Sequence, residues 1–256
     1  MFKVASWNVN SLRVRLDHVL QWLEANQPDV VGLQELKLAD EQFPVDAFTK
    51  VGYHAVFAGQ KTYNGVAILS KLPPSEVSRG IPGYDDPQQR VIAATVGPCR
   101  VIDVYVPNGE SVGSDKFQYK LAWLEALRSA VRDELKRYPR VALIGDFNIA
   151  PQDRDVHDPD AWREKILCST PERDALNALL ELGLRDTFRL FDQPEGVYSW
   201  WDYRMAAFRR NLGLRIDLIL VSGAAAEACR VSSVDKAPRK LERPSDHAPV
   251  VAEFDF

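Results

Sequence analysis

Short apolar runs broken by polar residues recur along the whole chain, and their spacing alternates between strand-like and helix-like periods. The run at 4–9 reads as a buried strand. The stretch 16–25 has the one-sided apolar spacing of an amphipathic helix that ends near Gln27-Pro28. A brief apolar strand at 30–33 follows and delivers Gln34 and Glu35 at its end. Further strands are predicted at 65–69, 90–96 and 100–106. A long helix spans 116–136, where Tyr119, Trp123, Leu124, Leu127 and Val131 recur at helical spacing. Beyond it come a strand at 141–144, a helix at 174–182 closed by Gly183, and strands at 198–201, 215–221 and 248–254. Strands outnumber helices and often follow one another directly, which favours hairpins over strict βαβ alternation. Two packed sheets flanked by helices are the expected arrangement. The Asp- and Pro-rich stretch 150–171 is the longest candidate loop. No internal repeat, low-complexity tract or linker interrupts the pattern, so one domain over 1–256 is expected.

Composition agrees with a large core, since 46% of the 256 residues are hydrophobic. The opening MFKVASWNVN meets a Trp and two Asn before any apolar run of signal length, and no stretch approaches the ~20 apolar residues of a membrane helix. A soluble, cytoplasmic protein is therefore expected. Cys99, Cys168 and Cys229 lack CxxC spacing, and no histidine pair has HxxxH spacing, so reduced thiols are expected and a zinc site is disfavoured. The formal net charge of −4 at first argues against a nucleic-acid partner. Clustered acids at a metal site would produce the same sign, however, and Arg204, Arg209 and Arg210 form a local basic cluster beside aromatics.

The chemistry gathers where apolar strands give way to polar residues. VALIGDFNIAP leads a buried strand into Asp146 and Asn148, which share one face if the backbone is extended. A carboxylate there activates water while the amide orients it; the alternative is a turn in which both bond their own backbone. SWNVNSLR places Asn8 and Asn10 at the end of the first strand, as oxygen donors suited to Mg²⁺ or Mn²⁺ or as turn and cap residues. Glu35 ends an apolar run and needs a metal or a cation, the nearest being Lys37. Asp217 lies inside the apolar strand RIDLILVS and also needs a partner. His247, preceded by Asp246 in PSDHAPVVAEF, supplies one, either as a charged imidazole aimed at phosphate or as a core ion pair. No Ser or Cys nucleophile occupies a recognisable elbow. Phosphate-ester hydrolysis by metal-activated water fits best, with several phosphoesterase classes still open.

The ordered set SWNVNSLR, LQELK, TYNGVAILS, YVPNG, GDFNIAP, YSWWDYR, RIDLILVS and SDHAPV resembles the exodeoxyribonuclease III family of abasic-site endonucleases, within the endonuclease/exonuclease/phosphatase superfamily. The resemblance is colinear over essentially the whole chain. It implies an α/β (α+β) fold, a four-layer αββα sandwich of two packed mixed β-sheets flanked by helices, with the active site at one edge. It also implies Mg²⁺- or Mn²⁺-dependent hydrolysis 5′ to abasic sites and trimming of blocked 3′ ends. The partner is then double-stranded DNA carrying such lesions, bound by a monomer with no obligate protein partner.

Transferred to this numbering, Glu35 is similar to the principal metal ligand, with Asn8 beside it; Asp146, Asn148, Asp246 and His247 complete the residues expected around the metal. Asp146 resembles the water-activating Asp and Asn148 its orienting partner. Tyr105 resembles the phosphate-contacting tyrosine, with Asn108 close by. Asp246 looks like a further metal-site or leaving-group acid, and His247 like the phosphate-binding imidazole oriented by Asp217. Tyr63, Asn64 and Gly65 match a DNA-backbone loop, and Lys37 and Arg90 stand as phosphate contacts; Asn10, Arg13 and Arg204 join the expected DNA-binding set. Trp200, Leu214 and Ile216 fall where the family lines its pocket for the extruded sugar, with one of Trp200 and Trp201 expected in the core. Asn10 stands where some members carry Asp, and Leu214 where some carry Trp.

Two rivals remain. One is a superfamily relative acting on inositol phosphates, sphingomyelin or undamaged DNA; YSWWDYR and CSTPER favour the DNA-repair branch against it. The other is a non-enzymatic nucleic-acid-binding relative, which predicts lost ligands. The loop 152–170, including Leu167, is expected to tune the balance of activities.

Overall fold

A computed structural model describes residues 1–256. Its strands, in chain order, are β1 (Phe2–Asn8), β2 (Val30–Gln34), β3 (His54–Ala58), β4 (Val66–Ser70), β5 (Ser75–Arg79), β6 (Val91–Val96), β7 (Cys99–Tyr105) and β8 (Val141–Asp146). They continue with β9 (Arg185–Asp186), β10 (Trp200–Trp201), β11 (Gly213–Leu214), β12 (Asp217–Val221), β13 (Cys229–Val234) and β14 (Val250–Phe254). Helices α1 (Leu12–Asn26), α2 (Val45–Lys50), α3 (Asp115–Arg137), α4 (Pro159–Trp162) and α5 (Thr170–Leu180) are interspersed. Two six-stranded sheets result, ordered β13-β14-β1-β2-β4-β3 and β5-β6-β7-β8-β12-β9. Each has one parallel pair near its centre, β1 with β2 and β7 with β8, among antiparallel neighbours.

Alternation of side chains explains the layering. In β1, Val4 faces the second sheet, where it joins Ile68, Ile92, Val101, Ile144 and Ile219. Ala5 and Trp7 face the other way, onto Val19, Trp22 and Leu23 of α1. In the second sheet, Val104, Leu143 and Leu218 pack against Trp123 and Leu127 of α3 and Leu176 of α5. Helix, sheet, sheet, helix: the expected four-layer αββα sandwich is the observed one. Cys99, Cys168 and Cys229 are free and buried in it, and no helix is long and apolar enough to cross a membrane.

A polar contact crosses the apolar interior of the seam between the sheets. Gln34 Nε2 donates to Asp103 Oδ1 at 2.5 Å, and a Cβ on Gly32 would come within 2.5 Å of that same oxygen. Full burial pushes the Asp103 carboxyl well above the usual range, with the Gln34 amide opposing.

The chain departs from its sequence expectations at edges and starts. Strands β3, β5, β9 and β13 are additional; β5 and β13 are edge strands with largely exposed side chains and little apolar alternation. The expected 215–221 strand shortens to β12, with β11 a separate strand before it, and 198–201 shortens to β10. The stretch 150–171 holds a 3₁₀ turn at Asp153–Asp155, α4 and the first two residues of α5. Helix α5 starts at Thr170 because Ser169 and Glu172 form a reciprocal capping box with Pro171 inside the first turn. Buried pairs pin this segment: Arg215 Nε meets Asp155 Oδ1 at 2.7 Å, Arg215 Nη2 meets Asp186 Oδ2 at 2.7 Å, and Arg189 also reaches Asp155.

Gly145 sets a sharp test of the β7–β8 register. Its φ is 148°, and a Cβ there would lie 1.9 Å from the Val104 carbonyl oxygen. Gly145→Ala should destabilise by about 3 kcal/mol or more, the scale of a severe core clash. Thermal melting reads it at roughly 2–4 °C per kcal/mol for a chain of this size; an unchanged Tm would show that the strand shifts freely.

Candidate active site

Both central parallel pairs deliver their carboxyl ends to one edge of the sandwich. Asn8 ends β1 opposite Gln34 of β2, and Glu35 follows at once. Tyr105 ends β7 opposite Asp146 of β8, and Asp217 starts β12 opposite Asp146. His247 enters the same edge just before β14, and its backbone bridges to Trp200.

Side chains from both sheets then meet. Asn8 Nδ2 donates to Glu35 Oε1 and to Asp146 Oδ2, each at 2.9 Å, while its own oxygen accepts the Asn10 N–H at 2.9 Å. Lys37 Nζ lies 2.9 Å from Glu35 Oε2 and donates to Asn10 Oδ1 at 2.6 Å. Asn148 N–H donates to Asp146 Oδ1 at 2.9 Å. His247 Nδ1 contacts Asp217 Oδ2 at 2.9 Å, and its Nε2 lies 3.7 Å from Asp146 Oδ2. Glu35, Asp146 and His247 each offer a ligand atom within 4.8 Å of the others. The two carboxylates are hard oxygen donors at the protein edge and fit a divalent cation.

Electrostatics separate the roles. Burial works against a charged His247, but Asp217, Asp146 and Asp246 outweigh it and push the imidazole up to about 10. Burial raises the Asp146 carboxyl, with His247 and the Asn8 amide opposing. Tyr105 is driven well above its ordinary value by burial and by Glu35 and Asp146, so it stays a phenol donor. Asp246 is lowered: burial would raise it, but His247, Asn10 and Trp200 prevail.

A groove of about 710 Å³ opens beside this cluster, lined in part by Tyr63, Asn64, Arg90, Tyr105, Asn108 and Lys116. Asn64 and Gly65 are tied to the Glu35 loop, because their carbonyls accept the Lys37 and Leu36 N–H groups. Arg90 lies over the Tyr105 ring at 4.7 Å and donates to the Tyr105 carbonyl.

The sequence profile of the endonuclease/exonuclease/phosphatase family matches residues 5–247. The chain belongs to that family. The exodeoxyribonuclease III of Haemophilus influenzae is 40% identical over 265 residues, covering 98% of this chain and 99% of that one. Among solved structures, the 3′ phosphatase NExo from Neisseria, bound to a product DNA hairpin, superimposes with a TM-score of 0.98 at 54% identity and full coverage of both chains. An AP endonuclease from Archaeoglobus fulgidus superimposes with a TM-score of 0.96 at 41% identity, again over the whole of both chains.

In this member of the endonuclease/exonuclease/phosphatase family, several expected residues take other positions. Asp246 was expected at the metal, yet its oxygens accept from Asn10 Nδ2 at 2.8 Å and Trp200 Nε1 at 3.0 Å, outside the Glu35–Asp146–His247 group. Asn148 Oδ1 accepts from Asn108 Nδ2 at 3.2 Å and its Nδ2 donates to the Val106 carbonyl at 3.0 Å. His247 Nδ1 is engaged by Asp217, which leaves Nε2 as the ring nitrogen that faces Asp146. Asn8 acts as a clamp, turning its Nδ2, not its oxygen, toward the two carboxylates. Leu214 and Ile216 are 0% and 1% exposed and pack with Ala150, Val156, Leu167 and Cys168; Trp200, Trp162 and Ile166 are partly open over this closed cluster. Trp201 is the core tryptophan of the pair, fully buried. Arg13 and Arg204 stand apart from the cluster and bond Gln42 and Asp202 on the surface.

Sequence reading missed the supports. Ser245 Oγ donates to the Asn8 carbonyl at 2.7 Å and accepts the His247 N–H. Ser199 Oγ accepts the N–H groups of Ile216 and Asp217. Their serine signals lie inside the SDH and YSWW motifs, but hydroxyls so common carry no spacing signature.

The Asp217–His247 pair predicts a titration. The folded value lies above the ordinary ~6.5, so the pair stabilises in full below that pH, and its contribution is lost as pH rises through about 10. NMR of the imidazole nitrogens should show a protonated ring at pH 8 in the wild type. In Asp217→Asn the titration should move down toward neutrality. An identical curve in both proteins would remove Asp217 as the cause.

Proposed function

We propose that the chain is a DNA repair nuclease that hydrolyses the phosphodiester 5′ to abasic sites and removes blocking groups from 3′ ends. The observation that carries this reading is the convergence of Glu35, Asp146 and a carboxylate-held His247 within 4.8 Å at one edge of the sandwich. The kinship with nucleases named for exodeoxyribonuclease III, 3′ phosphatase and AP endonuclease activity supports DNA as the substrate.

Each residue then has a definite task. Asp146, held on both oxygens by Asn8 and Asn148, takes a proton from the attacking water. Its environment favours proton uptake, because burial destabilises the carboxylate. The His247 imidazolium presents Nε2 to a phosphate oxygen, with Nδ1 occupied by Asp217. Tyr105 offers its hydroxyl to a second oxygen, and charge accumulating there is met by fixed donors in a site shielded from water. Glu35 and Asp146 would hold a divalent cation, magnesium or manganese by donor type, which supplies charge neutralisation at the phosphoryl group. Asn108 sits between the groove and Asn148, where it orients the phosphate. Arg90, Lys116, Tyr63 and Asn64 line the groove that receives the adjoining strand.

Three matched duplexes test the substrate: one abasic, one carrying a 3′-phosphate and one intact. Cleavage of the first two well above the third supports the reading, while equal rates on all three would refute repair specificity. The metal is tested separately. EDTA should abolish hydrolysis, and added Mg²⁺ or Mn²⁺ should restore it; full activity in EDTA with no metal carried over would end the metal assignment.

A further inference from the structure

Two charged side chains that this chemistry does not use lie fully buried behind the site. Lys120, near the start of α3, and Glu172, in the first turn of α5, are both 0% exposed. The Lys120 ammonium has three hydrogens and meets three acceptors: Glu172 Oε1 at 2.5 Å, the Asn148 carbonyl at 2.7 Å and the Asn108 carbonyl at 3.1 Å. Glu172 Oε1 also accepts the Leu167 N–H at 3.1 Å. Glu172 Oε2 takes the Ser169 N–H at 3.1 Å and the Ser169 hydroxyl at 2.6 Å. No hydrogen of the ammonium and no oxygen of the carboxylate is left without a partner.

An ion pair this deep is a poor source of stability. Desolvation of both charges offsets their attraction, and a well-packed apolar pair of similar volume does as well or better. An apolar pair cannot, however, grip two backbone carbonyls at once. Those carbonyls belong to Asn108 and Asn148, whose side chains meet at 3.2 Å beside the phosphate position. Asn148 has a left-handed φ of 49°, a conformation that a non-glycine residue keeps only under constraint. Its N–H holds Asp146 Oδ1 while its carbonyl is held by Lys120. The same ammonium therefore sets the distance between two loops and the aim of the carboxylate.

We propose that Lys120 and Glu172 form a positioning pair, with Lys120 clamping the Asn108 and Asn148 loops and Glu172 anchoring the clamp to the capped start of α5. The pair is not catalytic, since neither side chain faces the groove. The proposal rests on the nuclease reading above and extends it to the CSTPER segment.

Lys120→Met, Glu172→Gln and the double variant separate positioning from simple bracing, with cleavage of an abasic duplex and thermal melting as readouts. Each single variant should melt lower, because a buried charge or its partner is left alone. The double variant has no unpaired charge and should regain much of the lost Tm. Its kcat should stay down by about 10²-fold at nearly unchanged KM, the cost of a misplacement of about 1 Å. Recovery of kcat together with Tm, to within about threefold of wild type, would make the pair a brace and overturn the proposal. If the double variant does not fold, Glu172→Asp replaces it, since it keeps the charge and withdraws the carboxylate by one methylene. A fall in kcat at constant KM supports positioning there, and an unchanged kcat overturns it. Wild-type protein that left the duplex intact would overturn the nuclease reading and the proposal together, so the two failures are distinct.

Discussion

The carboxylates of Glu35 and Asp146 belong to different sheets, and each gives one oxygen to the same Asn8 amide. That contact exists only if the two sheets pack face to face in one register and end at one edge. The apolar ridges of Val4, Ile68, Ile92, Val101, Ile144 and Ile219 impose the packing. The paired registers of β1 with β2 and of β7 with β8 impose the common edge. Loss of either would separate two like charges from the donor that holds them together. The site is thus a property of the seam and of neither sheet alone.

Around this seam the molecule surrounds buried charge with directed donors and acceptors. His247 carries a proton because Asp217 faces its Nδ1, and Asp246 stays ionised because Asn10, Trp200 and His247 face it. Backbone conformation is constrained to the same end. Glu35, Lys37, Asn64 and Asn148 all have left-handed φ values between 49° and 55°. None is glycine, and each lies where a strand breaks into the site. Their side chains are needed there, so the conformational cost is borne by the surrounding hydrogen bonds.

Much of this was legible in the residues. Asn8, Glu35, Asp146 and His247 were visible because each interrupts an apolar run, and a polar group at such a point must have a partner. Partners distant in sequence were not visible. Trp200 with Asp246, and Lys120 with Glu172, are separated by 46 and 52 residues and follow from the fold's closure, not from local spacing. Strands β5 and β13 escaped notice because edge strands with exposed side chains lack the apolar alternation that marks a half-buried strand. The early start of α1 lacked a signal as well, since its cap residue Ser11 makes no side-chain capping bond. For α5 the signal was present: Ser169-Thr170-Pro171-Glu172 is a capping box, hidden within a stretch otherwise rich in loop residues.

The three cysteines have a practical consequence. Burial pushes the thiols of Cys99 and Cys168 up to about 12 and that of Cys229 to about 11, so at neutral pH almost no thiolate is present and none is accessible to reagents. The native chain should therefore react only slowly with maleimides and iodoacetamides. A single cysteine introduced on the exposed rim of the groove, for instance at Tyr63, could carry a fluorophore or spin label without first removing the natural thiols.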